Sequence, residues 1–195
     1  GHWPMLSEPA ALADVLIRAA AGEGRRLEPA GRARRSAHPF PLEAPEAPRE
    51  RTGNVDLYVP PAGGPLPAVV FVHGGPVPAA ARPTPRDWPT FTGYARHTAS
   101  RGVAAVTLDH RLHGLADYPR AAEDVAAVVD LVRADPRIDA DRVALWFFSG
   151  GGPLIADWLQ APPPWLRCLA ATYPILAPLP GWGLSGSRFH PALAV

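Results

Sequence analysis

The chain has 195 residues, 47% of them hydrophobic and 19% charged, with a formal net charge of +1. That length supports one sizeable core, and the near-neutral charge gives no electrostatic footing for nucleic acid or a membrane surface. No apolar run approaches the roughly 20 residues of a membrane span, and the lone cysteine, Cys168, excludes an intrachain disulfide.

Gly1-His2-Trp3-Pro4 ahead of Met5 reads as a tag remnant. The residues after it carry Glu8 and Asp14 and lack the apolar core of a signal peptide, so a cytoplasmic location is expected. Ser7 is placed to cap a helix with Leu12, Val15, Leu16 and Ala19 on one face, and Gly22 to end it. An arginine-rich stretch, Arg25 to Arg35, and a proline-rich one, Pro39 to Pro48, read as a solvated linker because acids flank the arginines. An anion-binding arm is the other reading. Residues 5–52 are thus expected to be a helix and linker, and 53–195 the folded core.

From residue 53 the pattern changes. Val55 to Val59 predicts a strand, Pro60 to Pro67 a turn, and Ala68 to Val72 a continuous apolar strand. Trp88 to Arg101 predicts a helix with Phe91, Tyr94, Ala95 and Thr98 inward. Val103 to Leu108 follows as a strand, then a helix over Ala121 to Arg133 with Val125, Val128, Val129 and Val132 facing the core. Val143 to Phe147 is a strand, Gly151 to Gln160 a helix and Leu166 to Tyr173 the last strand. Apolar strands alternating with helices imply one α/β domain, a mostly parallel sheet with helices on both faces.

Ser149 falls between an apolar strand and a glycine-opened helix. A nucleophile needs that place: a sharp turn lifts the hydroxyl above the sheet, and the helix N-terminus offers amides to a developing oxyanion. The signature is G-x-S-x-G. Here it reads Phe147-Phe148-Ser149-Gly150-Gly151, with Phe147 where the first glycine stands. Alone, the serine reads equally well as a cap on a helix start, over a phosphate for instance. A second motif, His73-Gly74-Gly75, ends the strand two strands earlier. HGG-type loops supply backbone donors for tetrahedral intermediates, and the ordered pair of motifs is far more specific than either one.

From about Val55 to Tyr173 the chain resembles the α/β-hydrolase superfamily, near the hormone-sensitive-lipase-like esterases and dienelactone-hydrolase-like proteins. Further marks of the resemblance are His110-Arg111-Leu112 for a Tyr-Arg-Leu-like tripeptide, Pro119 to Asp124 for a Pro-x-x-x-Glu-Asp helix start, and Asp139 to Val143 for an Asp-x-Asp-Arg-Val turn. It implies a serine esterase acting on a small ester or lactone, with Ser149 as nucleophile and Gly74, Gly75 and Gly150 as oxyanion donors. His73 would support the loop rather than move protons. No cofactor is expected.

In that fold the triad acid and histidine follow the serine. Here only Asp157, inside the next helix, and His190 do. Three accounts compete: an incomplete chain, a short pseudoenzyme, or a base from a partner chain. A serine without an adjacent base is a weak nucleophile, so this chain alone is expected to be poorly active. It is also expected either to self-associate, through the exposed edge of its last strand or a swapped tail, or to need the missing segment alongside it. The rival function is a non-catalytic binding or scaffold protein that has lost the triad. His110 and His113 lack the neighbours of a metal site. Cys168 should be inert in its strand, and Trp146, Trp158 and Trp165 should be packing residues.

Overall fold

Alternation hidden inside continuous apolar runs decides the architecture. In the strand β3 (Leu66–Val72), Ala68, Val70 and Val72 face one hydrophobic cluster while Val69 and Phe71 face another. The strand β5 (Ile138–Phe148) divides the same way, Val143, Leu145 and Phe147 against Ala144, Trp146 and Phe148. A strand apolar on both sides must be covered on both sides.

The computed structural model describes residues 14, 17, 18, 21, 22, 44–61 and 64–175. The other strands are β1 (Glu50–Thr52), β2 (Val55–Tyr58), β4 (Ala104–Leu108) and β6 (Leu166–Thr172), and the sheet order is β1-β2-β4-β3-β5-β6. The four strands β4, β3, β5 and β6 are parallel; β2 runs antiparallel to β4, and β1 to β2. Among the described residues lie the α-helices α1 (Pro89–Ser100), α2 (Tyr118–Ala134) and α3 (Ala156–Gln160). The fold is α/β, as the strand–helix alternation implies.

Helix α2 covers one face with Ala121, Val125, Val128, Val129 and Val132, and α1 covers the other with Phe91, Tyr94, Ala95 and Ala99. Both helices carry proline in the first turn, where the missing N–H costs nothing. Gly102, at φ +79°, lets the chain leave α1 in the left-handed region. Asp14, Ile17 and Arg18 are helical, with Ile17 in the α1-side cluster and Asp14 paired to Arg101 at 2.6 Å. The rest of the expected first helix, the arginine-rich stretch and most of the proline-rich one lie outside the described residues.

Two expectations need correction. Strand β5 starts at Ile138, not Val143, because Ile138 pairs with Leu66 and extends the ladder below the turn-like aspartates. And the segment after Ser149 is a 3-10 helix, Ser149–Ile155, becoming α-helical only at Ala156. The run Gly150-Gly151-Gly152-Pro153 explains this: glycine gives little helical preference, and Pro153 lacks the N–H an α-turn needs.

One charge cluster was not foreseen. Asp56 is fully buried, and Arg51 grips both its oxygens at 2.7 Å. Arg49 and Arg86 stand 3.6 and 3.5 Å away, and Asp87 accepts from Arg49 and Arg51. The N-terminal hairpin is thereby tied to the turn that leads into α1. At the far edge β6 pairs only with β5 among the described residues, and Cys168 there is half-buried, its thiol pushed up by burial.

Candidate active site

Because β3, β4, β5 and β6 are parallel, their carboxyl ends open on one side of the sheet, the side where such folds place ligands. The HGG segment leaves β3 there, the His110 loop leaves β4, and Ser149 leaves β5. Ser149 is the first residue after the strand and is partly exposed at φ +49°, a left-handed conformation that is unusual for serine. Such strain persists only where surrounding structure enforces it, and it clusters at functional sites. The other non-glycine residue at positive φ is Tyr173 (φ +42°), just after β6.

The neighbouring glycines are required by contact. A methyl on Gly74 would stand 2.8 Å from Ser149 Cβ, 2.9 Å from the Phe148 carbonyl oxygen and 3.2 Å from the Gly150 nitrogen. Gly150 lies so close to the Gly75 carbonyl oxygen that no side chain fits between them. The structure thus brings Gly74, Gly75, Ser149 and Gly150 together. Phe147, in the signature's glycine position, is fully buried in the α2-side core instead of crowding the turn.

His73 is buried beneath this loop and stacked on His110, ring centroids 3.7 Å apart. Its Nδ1–H donates to the Gly74 carbonyl at 2.5 Å, and its Nε2 accepts the His110 amide at 3.4 Å. His110 donates Nε2–H to the His73 carbonyl at 2.9 Å and accepts the Leu112 amide on Nδ1 at 3.4 Å. Every ring nitrogen is matched in the neutral form. Burial, and for His73 also the neighbouring His110, lowers both rings below the usual histidine range. His110 has no nitrogen left for a metal, and His113 Nδ1 is bonded to the Val77 carbonyl at 2.9 Å. Arg111 fastens the same loop to α2 through Asp124, which accepts from the Arg111 amide at 2.8 Å and from its guanidinium.

Among the described residues no hydrogen bond joins a histidine to Ser149. Asp157 is exposed on α3, and His190 lies outside the described residues. Trp146 donates to Thr172 at 2.7 Å, while Trp158 packs on Trp165, itself beneath Arg133. Sequence reasoning missed Tyr118, whose hydroxyl donates to the Gly150 carbonyl at 2.8 Å. It also missed Ile175, whose amide donates to the Ser149 carbonyl at 3.0 Å. Nothing in the sequence marks either partnership, though Pro153, which leaves the Gly150 carbonyl without a local donor, was legible.

The BD-FAE family model matches residues 55–157, more than half of the chain and both motifs. The chain belongs to the BD-FAE family. This is an esterase family of the α/β-hydrolase type. Solved structures share the BD-FAE chain's fold. Esterase 2 of Thermogutta terrifontis is 19% identical with a TM-score of 0.50, over 71% of this chain and 60% of that one. A sugar hydrolase (YeeB) from Lactococcus lactis is 18% identical with a TM-score of 0.51, over 74% and 60%. Esterase Est22 is 24% identical with a TM-score of 0.52, over 64% and 41%. The chain therefore spans about 60% of the length of the first two. No curated protein matches it.

Proposed function

We propose that this BD-FAE chain carries the nucleophile half of a serine esterase. Its substrate class is a small or medium carboxylic ester or lactone. One observation carries the reading: Ser149, strained at φ +49° on the end of β5, touches the HGG loop through Gly74. In the reaction, Ser149 Oγ attacks the carbonyl carbon while its proton passes to a base, a histidine–acid pair supplied from outside these 195 residues. The amides of Gly74, Gly75 and Gly150 receive the negative charge on the former carbonyl oxygen. The C–O bond to the alcohol breaks, the base returns the proton to that alcohol, and water releases the acid from the acyl-serine by the same route. His73 stays neutral and supports the loop. As both its nitrogens are bonded to backbone, it has no free site for the serine proton.

The test is hydrolysis of nitrophenyl esters by the native gene product and by its Ser149→Ala variant. The proposal expects turnover that the alanine variant loses by at least about 10³-fold, with residual rate from the oxyanion donors. Equal turnover in both proteins would remove Ser149 from the chemistry.

A further inference from the structure

A helix that begins at Ser149 meets proline at its fifth residue. In an α-helix the residue 153 nitrogen would donate to the Ser149 carbonyl, and in a 3-10 helix to the Gly150 carbonyl. Pro153 can make neither bond. In the 3-10 helix present, that leaves the Gly150 carbonyl without its local donor, and both carbonyls take a donor from a distant element. The Ile175 amide reaches Ser149 O at 3.0 Å, and the Tyr118 hydroxyl reaches Gly150 O at 2.8 Å.

These bonds act on the orientation of whole peptide planes. The Ser149–Gly150 peptide is rigid and trans, so holding the Ser149 carbonyl fixes the Gly150 N–H in the opposite direction. That nitrogen lies on the Gly74 side, 3.2 Å from where a Gly74 methyl would stand. Tyr118 holds the next plane, so the Gly150 unit is clamped at both ends. The partners are themselves well placed. Tyr118 is 5% exposed, and burial pushes its phenol up to about 12, so it remains a donor at neutral pH. Residues 174 and 175 pack directly on Gly152, where a methyl would stand 2.5 Å from Ile175 O and 2.9 Å from its nitrogen. Tyr173, at φ +42°, turns the chain out of β6 toward this contact.

We infer that the Tyr118 hydroxyl and the Ile175 amide are positioning groups that aim the Gly150 N–H at the oxyanion. Pro153 has removed the local bond that the Gly150 carbonyl would otherwise accept. The inference rests on the reading of Ser149 as nucleophile and Gly150 as oxyanion donor.

The experiment uses the native gene product and the variants Tyr118→Phe, Ile175→Pro, Ile175→Val and Ser149→Ala. Tyr118→Phe keeps the ring and deletes the donor. Ile175→Pro deletes the amide, whereas Ile175→Val keeps it. A misaimed donor should lower kcat by about 10- to 100-fold in Tyr118→Phe and Ile175→Pro, with KM within about twofold of wild type. Affinity for a boronic acid, which mimics the tetrahedral adduct, should fall by the same factor as kcat. Ile175→Val should restore the rate. Wild-type kcat in Tyr118→Phe or Ile175→Pro would overturn the inference. So would a loss that Ile175→Val shares, or one that follows thermal stability instead of boronate affinity. Full activity in Ser149→Ala would instead sink the underlying reading, which separates the two failures.

Discussion

Gly74→Ala replaces a hydrogen with a methyl group in a crowded place of the site. The new methyl would stand 2.8 Å from Ser149 Cβ and 2.9 Å from the Phe148 carbonyl oxygen. Carbon atoms rest at about 3.5–4.0 Å, so relief needs a movement of roughly 0.7–1.2 Å. Phe148 and the residues before it are locked into β5, paired with β3 on one side and β6 on the other. The HGG loop must therefore give way. Overpacking of this kind costs about 1–3 kcal/mol, and displacing a reacting group or its donors by about 1 Å costs on the order of 100-fold in rate. The assay is the rate of fluorophosphonate labelling, with urea unfolding measured in parallel. Gly64→Ala is the control, since a methyl there meets nothing within 4 Å. Labelling of Gly74→Ala at the wild-type rate with an unchanged urea midpoint would refute the claim that this glycine sets the geometry of the elbow.

Restoring the signature glycine with Phe147→Gly should harm the protein, because Phe147 is fully buried in the α2-side core; unfolding should show a loss of at least about 3 kcal/mol, and a neutral result would contradict the packing described. Arg51→Ala strips the paired donors from the buried Asp56 carboxylate, while Arg49 and Arg86 stay beside it, and is expected to cost about 1.5–3 kcal/mol, the range for hydrogen bonds to a charged group, with no measurable loss arguing against it. The stacked histidines imply a pH dependence. Both are held neutral in the fold, chiefly by burial, and titrate near about 6.5 when unfolded, so the unfolded chain binds more protons. Stability is then complete above about pH 6.5 and falls below it, by up to about 1.4 kcal/mol per unit for each ring until the folded value is reached. The salt-bridged carboxylates Asp87 and Asp124, whose values are lowered, add their loss only below about pH 4. His110→Tyr should flatten the change in urea midpoint between pH 7.5 and 5.5; an unchanged slope would remove the pair as its source.

The strand and helix order was legible because each apolar run is bounded by glycine, proline or charge, and because valines at helical spacing face the core. The two motifs located one end of the sheet, and Gly74, Gly75, Ser149 and Gly150 meet there. What escaped the sequence depends on registry between distant segments. Arg51 and Asp56 are a cross-strand pair, visible only once the β1–β2 register is known. Tyr118 and Ile175 reach the elbow across 32 and 26 residues, and no local pattern marks such a contact. The 3-10 start was within reach: three glycines and a proline cannot begin a regular α-helix, so the Gly151 to Gln160 helix expectation gave too little weight to Pro153.

Covalent capture at the elbow is the direct test of Ser149 as nucleophile. Organophosphorus reagents report on an activated nucleophile, because only a deprotonated serine attacks phosphorus readily. The native gene product should be treated with a fluorophosphonate and its adduct located by peptide mass spectrometry. One adduct is expected, on the peptide bearing Ser149, and none in Ser149→Ala. An adduct on another residue, or one that persists undiminished in the alanine variant, would contradict it.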